Sequence, residues 1–436
     1  MRSVLCVTAI GSLCAACSWW RYDDILEHSP VEVLKAPAET SALGMSLAIL
    51  PSSERTLAFS TAEDGFAIYE FGKTDLASTD MLRQQTCSPA SGCWVAESIA
   101  PFNLPDAVGG GACVAFGVEL DSSGQPRTVL HCSDHQRKSL SLPAPLPSEL
   151  AALKANVVNP MLLFASGPRF AADLLVAASR SSGSVWFYNR DNDQPLSLIK
   201  PPGAGKSYAS TLAVAASESA RFIAVGEPEV GTVYVSRIDL TVTPPTIQNF
   251  CVRGESGFAS ALAVGHLTTA STLDLALRDD KELVVLPALD TMPFSLSADV
   301  PCTALAELSS VRRLACTTLN GSRPCEGLLS TASLAPADLD GDGRDELLVG
   351  APSASVRGND AAGKVLIASF GQEKPALVGE LLASSAESGD RLGSSVLGVP
   401  LSGVEVVLAG APGGNKLAAF FCTSLLPEGK GGARCD

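Results

Sequence analysis

The densest group of residues able to do chemistry is Asp338-Leu339-Asp340-Gly341-Asp342-Gly343-Arg344-Asp345-Glu346. Asp338, Asp340 and Asp342 stand at alternate positions, so their side chains can turn toward one centre. Gly343 permits a sharp turn, the carbonyl of Arg344 can add an oxygen, and Glu346 closes the shell. Hard oxygen donors in a flexible loop select Ca²⁺ over Mg²⁺ and over transition metals. Carboxylates this close repel one another without a cation. The expected metal ligands are therefore Asp338, Asp340, Asp342, Arg344 and Glu346, and the expected ion is Ca²⁺. The loop is not of the helix–loop–helix kind, because Val349 rather than Glu holds its twelfth position and a strand-like run follows.

Other constellations carry less. Glu119, Asp121 and Ser123 ahead of Gly124 read as a degraded copy of the acidic loop. His266, Thr268 and Ala270 stand where the three Asp would be in another copy, where only Asp274 survives. Gly203-Ala204-Gly205-Lys206-Ser207 has the tail of a phosphate loop, but Lys200 sits where its first Gly is required, and a strand follows instead of a helix. His131 and His135 are set beside Cys132 on a strand and turn, and are expected near a disulfide rather than on a metal. No GxSxG occurs, which leaves a hydrolase triad unsupported. Trp186, Tyr188 and Tyr234 fall on strands and are expected in packing rather than on a ligand platform.

The elements that must position the acidic loop repeat along the chain. Ser330–Phe370 reads as a small-residue strand, the acidic loop, an apolar strand ending Gly350-Ala351-Pro352, a polar turn and a third strand. The same order returns in Arg391–Phe421, Tyr208–Val235, Phe258–Leu286 and Leu43–Phe71. It returns in part in Ala171–Tyr188, and most weakly in Cys113–Leu142. Val, Leu, Ile and Ala runs between Gly, Pro and Ser turns predict strands throughout, with Pro147–Ala155 the one helical candidate. A small sheet cannot bury both faces alone, so such units must pack on one another.

These units resemble FG-GAP repeats, the blade sequence of the integrin α-chain β-propeller. The likeness is strongest from Leu334 to Pro352. It departs at Glu346, where the family usually has Asp. The resemblance implies an all-β fold, a seven-bladed β-propeller of FG-GAP-type blades with Ca²⁺ held in the loop. Val378–Ala383 is expected as an outermost strand. Val31–Lys35 has no preceding blade of its own, and the chain past Phe421 is short. Val31–Lys35 is therefore expected to complete the last blade and close the ring.

The 436 residues are 46% hydrophobic and carry a net charge of −15, which argues against both disorder and a nucleic-acid partner. Residues 1–16 read as a signal peptide: Arg2, an apolar stretch from Val4 to Leu13, then small residues. With Cys17 they resemble the bacterial lipobox, although Cys14 takes the place of its usual Leu. Lipidation of Cys17 is expected, with 17–30 as tether and 31–436 as propeller. Ser18 after that Cys fits an outer-membrane address. Ten further Cys remain, an even set that reads as disulfides in an exported chain. Cys87–Cys93, Cys113–Cys132 and Cys422–Cys435 are the first choices. Cys251, Cys302, Cys316 and Cys325 would make two more bonds.

The expected function is a non-enzymatic, adhesion-like binding module at the bacterial cell envelope. Its ligand would be a protein or glycan, its contact with membrane only the lipid anchor, and its state a monomer. The insertion Thr74–Asp106 is the first candidate for a ligand-contacting loop, and the stretch around Cys302–Cys325 the second. The alternative is a carbohydrate-active or phosphodiesterase-type propeller enzyme, with carboxylates such as Asp64, Asp173, Asp191, Asp193, Asp279 and Asp280 around the central channel. Two facing carboxylates there would favour the enzyme, and an apolar channel the module.

Overall fold

The computed structural model describes residues 31–35, 43–143, 162–315, 333–423 and 434–435, with short gaps inside the longer spans. Residues 1–30, Cys17 among them, and Pro147–Ala155 lie outside the described residues. Within them the chain is an all-β β-propeller. Among the described residues its helical content is three short 3₁₀ turns, at Leu289–Thr291, Leu305–Glu307 and Pro412–Gly414. No helix among the described residues is long and apolar enough to cross a membrane.

Six sheets are each laid down by one stretch of chain. The first is Leu47–Pro51, Arg55–Ala62, Gly65–Gly72 and Asp80–Thr86, and the second Cys93–Asn103, Ala112–Leu120, Pro126–Cys132 and Arg137–Ser141. The third is Leu162–Ser166, Leu174–Ser179, Ser184–Asn189 and Asn192–Leu198. The fourth is Thr211–Ala216, Arg221–Glu227, Thr232–Asp239 and Thr246–Arg253, with Thr303–Ala304 added in parallel at its outer edge. Leu262–Gly265, Asp274–Arg278, Glu282–Leu286 and Arg312–Ala315 form the fifth. The sixth is Leu334–Ala337, Glu346–Ala351, Lys364–Ser369 and Ala376–Leu381.

Seven repeat copies stand in the sequence, but six sheets are complete from one stretch of chain and the last is composite. Ser395–Leu401, Val404–Ala411 and Lys416–Thr423 supply three of its strands, and Val31–Lys35 pairs antiparallel with Lys416–Thr423, Val31 opposite Phe420. The two ends of the fold thus share one sheet. The turn before the first sheet adds to the seam. Ser395 Oγ donates to the Gly44 carbonyl at 2.7 Å, and the Leu43 N–H donates to Asn415 Oδ1 at 2.9 Å. A Cβ on Gly44 would lie 2.7 Å from the Gly410 Cα, so the Gly of Gly410-Ala411-Pro412 lets the next sheet's entry turn cross it.

The apolar strands bury themselves between sheets, not within one. One cluster joins Phe222, Val235 and Phe250 of the fourth sheet to Leu275, Leu277 and Val284 of the fifth. Another joins Ala276 and Val285 of the fifth to Leu347, Val349 and Leu366 of the sixth. A third joins Leu348 and Ile367 of the sixth to Val407 and Phe420 of the composite sheet. Each face covers its neighbour, as the repeat requires. The innermost strands touch in a closed circuit, the last returning to Leu47–Pro51.

Three disulfides are present among the described residues: Cys87–Cys93, Cys113–Cys132 and Cys251–Cys302. Cys422 and Cys435 face each other in strand register. Cys316 and Cys325 lie outside the described residues. The expected Thr74–Asp106 loop is corrected. Asp80–Thr86 is the outermost strand of the first sheet and Cys93–Asn103 the innermost of the second, with the Cys87–Cys93 bond at the crossing. A register break between Val95 and Ala100, with Glu97 and Ser98 inside it, hides the strand's period. The stretch after Cys302 likewise gives Arg312–Ala315 to the fifth sheet.

Candidate metal centre

The acidic loop connects the two inner strands of the sixth sheet, between Ala337 and Glu346. Asp338, Asp340 and Asp342 each bring a carboxylate oxygen to within 4.8 Å of the others. Backbone donors hold two of them inward: Gly343 N–H to Asp338 Oδ2 at 3.1 Å, and Asp342 N–H to Asp340 Oδ1 at 3.2 Å. Gly341 and Gly343 take positive φ of 73° and 85°, which lets so short a loop fold back on itself. Three convergent carboxylates form a hard-oxygen donor set, and this set fits Ca²⁺.

The Arg344 side chain adds something the spacing did not suggest. Its guanidinium pairs with Asp342, Nε lying 2.9 Å from Oδ2, and Nη1 donates to the Gly371 carbonyl at 3.0 Å. The Asp342 carboxylate holds the guanidinium pKa above its ordinary value. One negative charge of the loop is thus offset by the loop's own arginine.

Asp345 ends the loop, Glu346 opens the next strand, and the two side chains go to different partners. Glu346 turns under the loop, 5% exposed, and accepts the Leu339 N–H at 3.0 Å. Burial first, then the charge of Asp340, pushes its pKa up to about 8. A bound cation would reverse that, since a nearby opposite charge favours the carboxylate. Asp345 turns instead toward the fifth sheet.

The other loops satisfy their acids differently. Asp274, fully buried, accepts the Thr268 N–H at 2.6 Å and hydroxyl at 2.8 Å on one oxygen, and the Ala288 N–H at 2.8 Å on the other. Asp121 accepts Ser123 and Gln125 N–H groups and the Arg127 Nε, and Ser123 and Arg127 hold its carboxyl well below the usual range. Glu119 pairs with Arg137 at 2.5 Å. Glu119 and Asp121 therefore each turn to an arginine and do not form a second acidic cluster.

The aromatic residues pack between sheets. Trp186 and Tyr188 are fully buried; Trp186 Nε1 donates to the Tyr188 hydroxyl at 3.1 Å, which donates to the Ser141 carbonyl at 2.8 Å. Tyr234 stacks edge-on against Tyr208 and donates to Glu227 at 3.3 Å. Burial raises its pKa to about 12, helped by the Glu227 charge. Glu227 was not foreseen. It is wholly buried at the place taken by Ala351 and Ala411 in the Gly-Ala-Pro copies, and accepts the Gly205 N–H. His131 is buried beside the Cys113–Cys132 bond. Asp279 sits in a turn, its Oδ1 accepting the Glu282 N–H at 3.0 Å. Asp64, Asp173, Asp191 and Asp280 lie outside the described residues, as does the side chain of Asp193.

The protein-family model described as FG-GAP repeat matches residues 330–367, the span that holds the acidic loop. No curated protein matches the sequence. Among solved structures, the chain is similar to one in a humanized mutant of the Chaetomium thermophilum Polycomb Repressive Complex 2 bound to the inhibitor GSK126. The TM-score is 0.53 at 10% identity, over 91% of this chain and 97% of that one. It is also similar to a chain of apo ctPRC2 in an autoinhibited state, with a TM-score of 0.54 at 10% identity, over 92% and 98% of the two chains. At such identity the likeness speaks for the fold alone.

Proposed function

Starting from an FG-GAP β-propeller protein, we propose that this chain is a non-enzymatic, Ca²⁺-binding interaction module. It is exported to the bacterial cell envelope and held at the outer membrane by a lipid on Cys17. The observation that carries the reading is the convergence of Asp338, Asp340 and Asp342 inside the matched repeat. Those carboxylates, the Arg344 carbonyl and Glu346 would hold Ca²⁺, which would neutralise the loop and fix its shape. Affinity on the order of 10⁻⁴–10⁻³ M suits an extracellular module.

The partner is a protein or glycan met by loops of a monomeric wheel, as in an adhesion-like module. The lining of the central cavity favours the module over the enzyme: aliphatic, Ala, Gly and Pro residues and Ser166, with no carboxylate. The test is calorimetric Ca²⁺ titration and melting of residues 18–436, followed by capture of envelope proteins and glycans in Ca²⁺ and in EDTA. Saturable Ca²⁺ binding, a higher melting temperature and a partner held in Ca²⁺ are expected. No Ca²⁺ binding would overturn the metal reading, and turnover of a glycoside or phosphodiester would overturn the non-enzymatic one.

A further inference from the structure

The innermost strands enclose a cavity on the axis of the wheel, about 290 Å³ in volume. That is room for roughly ten waters at about 30 Å³ each. Its wall comes from every sheet, and its one polar side chain is Ser166.

The backbone of that wall also lacks a donor at Pro101, Pro336 and Pro400. An innermost strand has one hydrogen-bonded neighbour, and its other edge faces the axis. Gly350 donates to the Ser333 carbonyl, and antiparallel bonding alternates, so Pro336 presents its nitrogen to the axis. Proline has no N–H, and it occurs on an innermost strand only where that donor is not needed. Pro101 and Pro400 line the cavity as well.

The middle level of the lumen is small in all but the composite sheet, which places Leu397 there. Ala48, Ala100, Ala165, Ala213, Ala263 and Ala335 each pair with the second strand of their sheet at the corresponding step. Larger residues at this level would fill the centre.

Water in such a space finds few of the two to four polar partners that hold it. An apolar molecule that displaces it gains more than it loses. The lining runs about three residues along each innermost strand, roughly 10 Å at about 3.3 Å per residue. We propose that the axial cavity is a binding site for a small, uncharged, linear aliphatic molecule with at most one hydroxyl-type end, met by Ser166 or a remaining strand-edge carbonyl. This site is separate from the metal loop.

The test titrates 1-decanol, 1-hexanol and glucose into the purified full chain carrying Cys17→Ser, so that no attached lipid competes, and follows heat. Saturable one-to-one binding of decanol is expected, with hexanol at least tenfold weaker and glucose silent. Leu212→Trp and Leu334→Trp narrow the lumen and should each weaken decanol at least tenfold. Should either variant fail to fold, a diazirine-bearing decanol on the unaltered wall reports instead, labelling peptides that contain the innermost strands. Absence of saturable decanol binding, glucose binding as well as decanol, or label found only off those strands would each overturn the proposal.

Discussion

The backbone N–H of His266 donates to Asp345 Oδ2 at 2.7 Å, and the Asp345 N–H returns a bond to the His266 carbonyl at 2.8 Å. This exchange bolts the acidic loop of the sixth sheet to the corresponding loop of the fifth. That second loop is already locked by Thr268 and Ala288 on Asp274, so it offers a rigid abutment.

Asp345 should therefore matter to stability more than to metal binding. A hydrogen bond to a charged acceptor contributes about 1.5–3 kcal/mol, and its loss strands a donor. Asp345→Ala should lower the melting temperature equally in Ca²⁺ and in EDTA, with Asp345→Asn intermediate, as calorimetric melts would record. Because Asp345 is outside the ligand set, Ca²⁺ affinity should change by no more than about threefold, roughly 0.7 kcal/mol. A tenfold loss of affinity with an unchanged melt would place it among the ligands instead.

Glu346 makes the metal-free protein sensitive to pH. Its carboxyl is pushed from 4.5 up to about 8 in the fold, by burial first. The folded state then holds a proton that the unfolded state releases, so stability is fully present below about pH 4.5 and is lost as pH rises through about 8. In EDTA the melting temperature should fall across that window. In Ca²⁺ the fall should shrink, because the cation favours the charged carboxylate. Glu346→Gln should flatten the EDTA profile and weaken Ca²⁺ binding. A melt in EDTA that rises from pH 5 to 8 would contradict this.

The fold was legible where strands keep their period, and the acidic loop where chemistry is written in side chains. Asp338, Asp340 and Asp342 announce themselves by spacing, and Gly350-Ala351-Pro352 by composition. Cys93–Asn103 was hidden because a register break and two polar residues interrupt its alternation. The Asp345–His266 link was hidden for another reason: its donor at His266 is a backbone N–H, which every residue but proline carries. Glu227 could have been found as an acid at a position where the two Gly-Ala-Pro copies have Ala351 and Ala411.

The three disulfides close chain segments of very different length, and their contributions should follow it. Cys251–Cys302 spans 51 residues, Cys113–Cys132 spans 19 and Cys87–Cys93 spans 6. Cross-links stabilise more as the closed loop grows, typically by about 2–4 kcal/mol. Paired Cys→Ser changes should lower the midpoint of urea unfolding most for Cys251–Cys302, which also fastens Thr303–Ala304 to the fourth sheet. The least effect is expected for Cys87–Cys93. An inverted order would mean that local strain, not loop closure, sets their worth.

The pairing of Val31–Lys35 with Lys416–Thr423 sets the last prediction. Lys416–Thr423 is the outer neighbour of Val404–Ala411, so without Val31–Lys35 its far edge is exposed along five residues. Removal of residues 18–40 takes away those ladder bonds and leaves an edge ready to pair with another chain. The truncated protein should melt well below the intact one and should associate with itself as concentration rises. A Pro at Val33 tests the same seam with one atom group, since β-strands tolerate Pro only where no ladder donor is needed. Differential scanning calorimetry and sedimentation velocity read the two effects separately. An unchanged melt with a monomeric truncation would mean that the wheel is held shut by the Gly44–Ser395 and Leu43–Asn415 contacts without this strand.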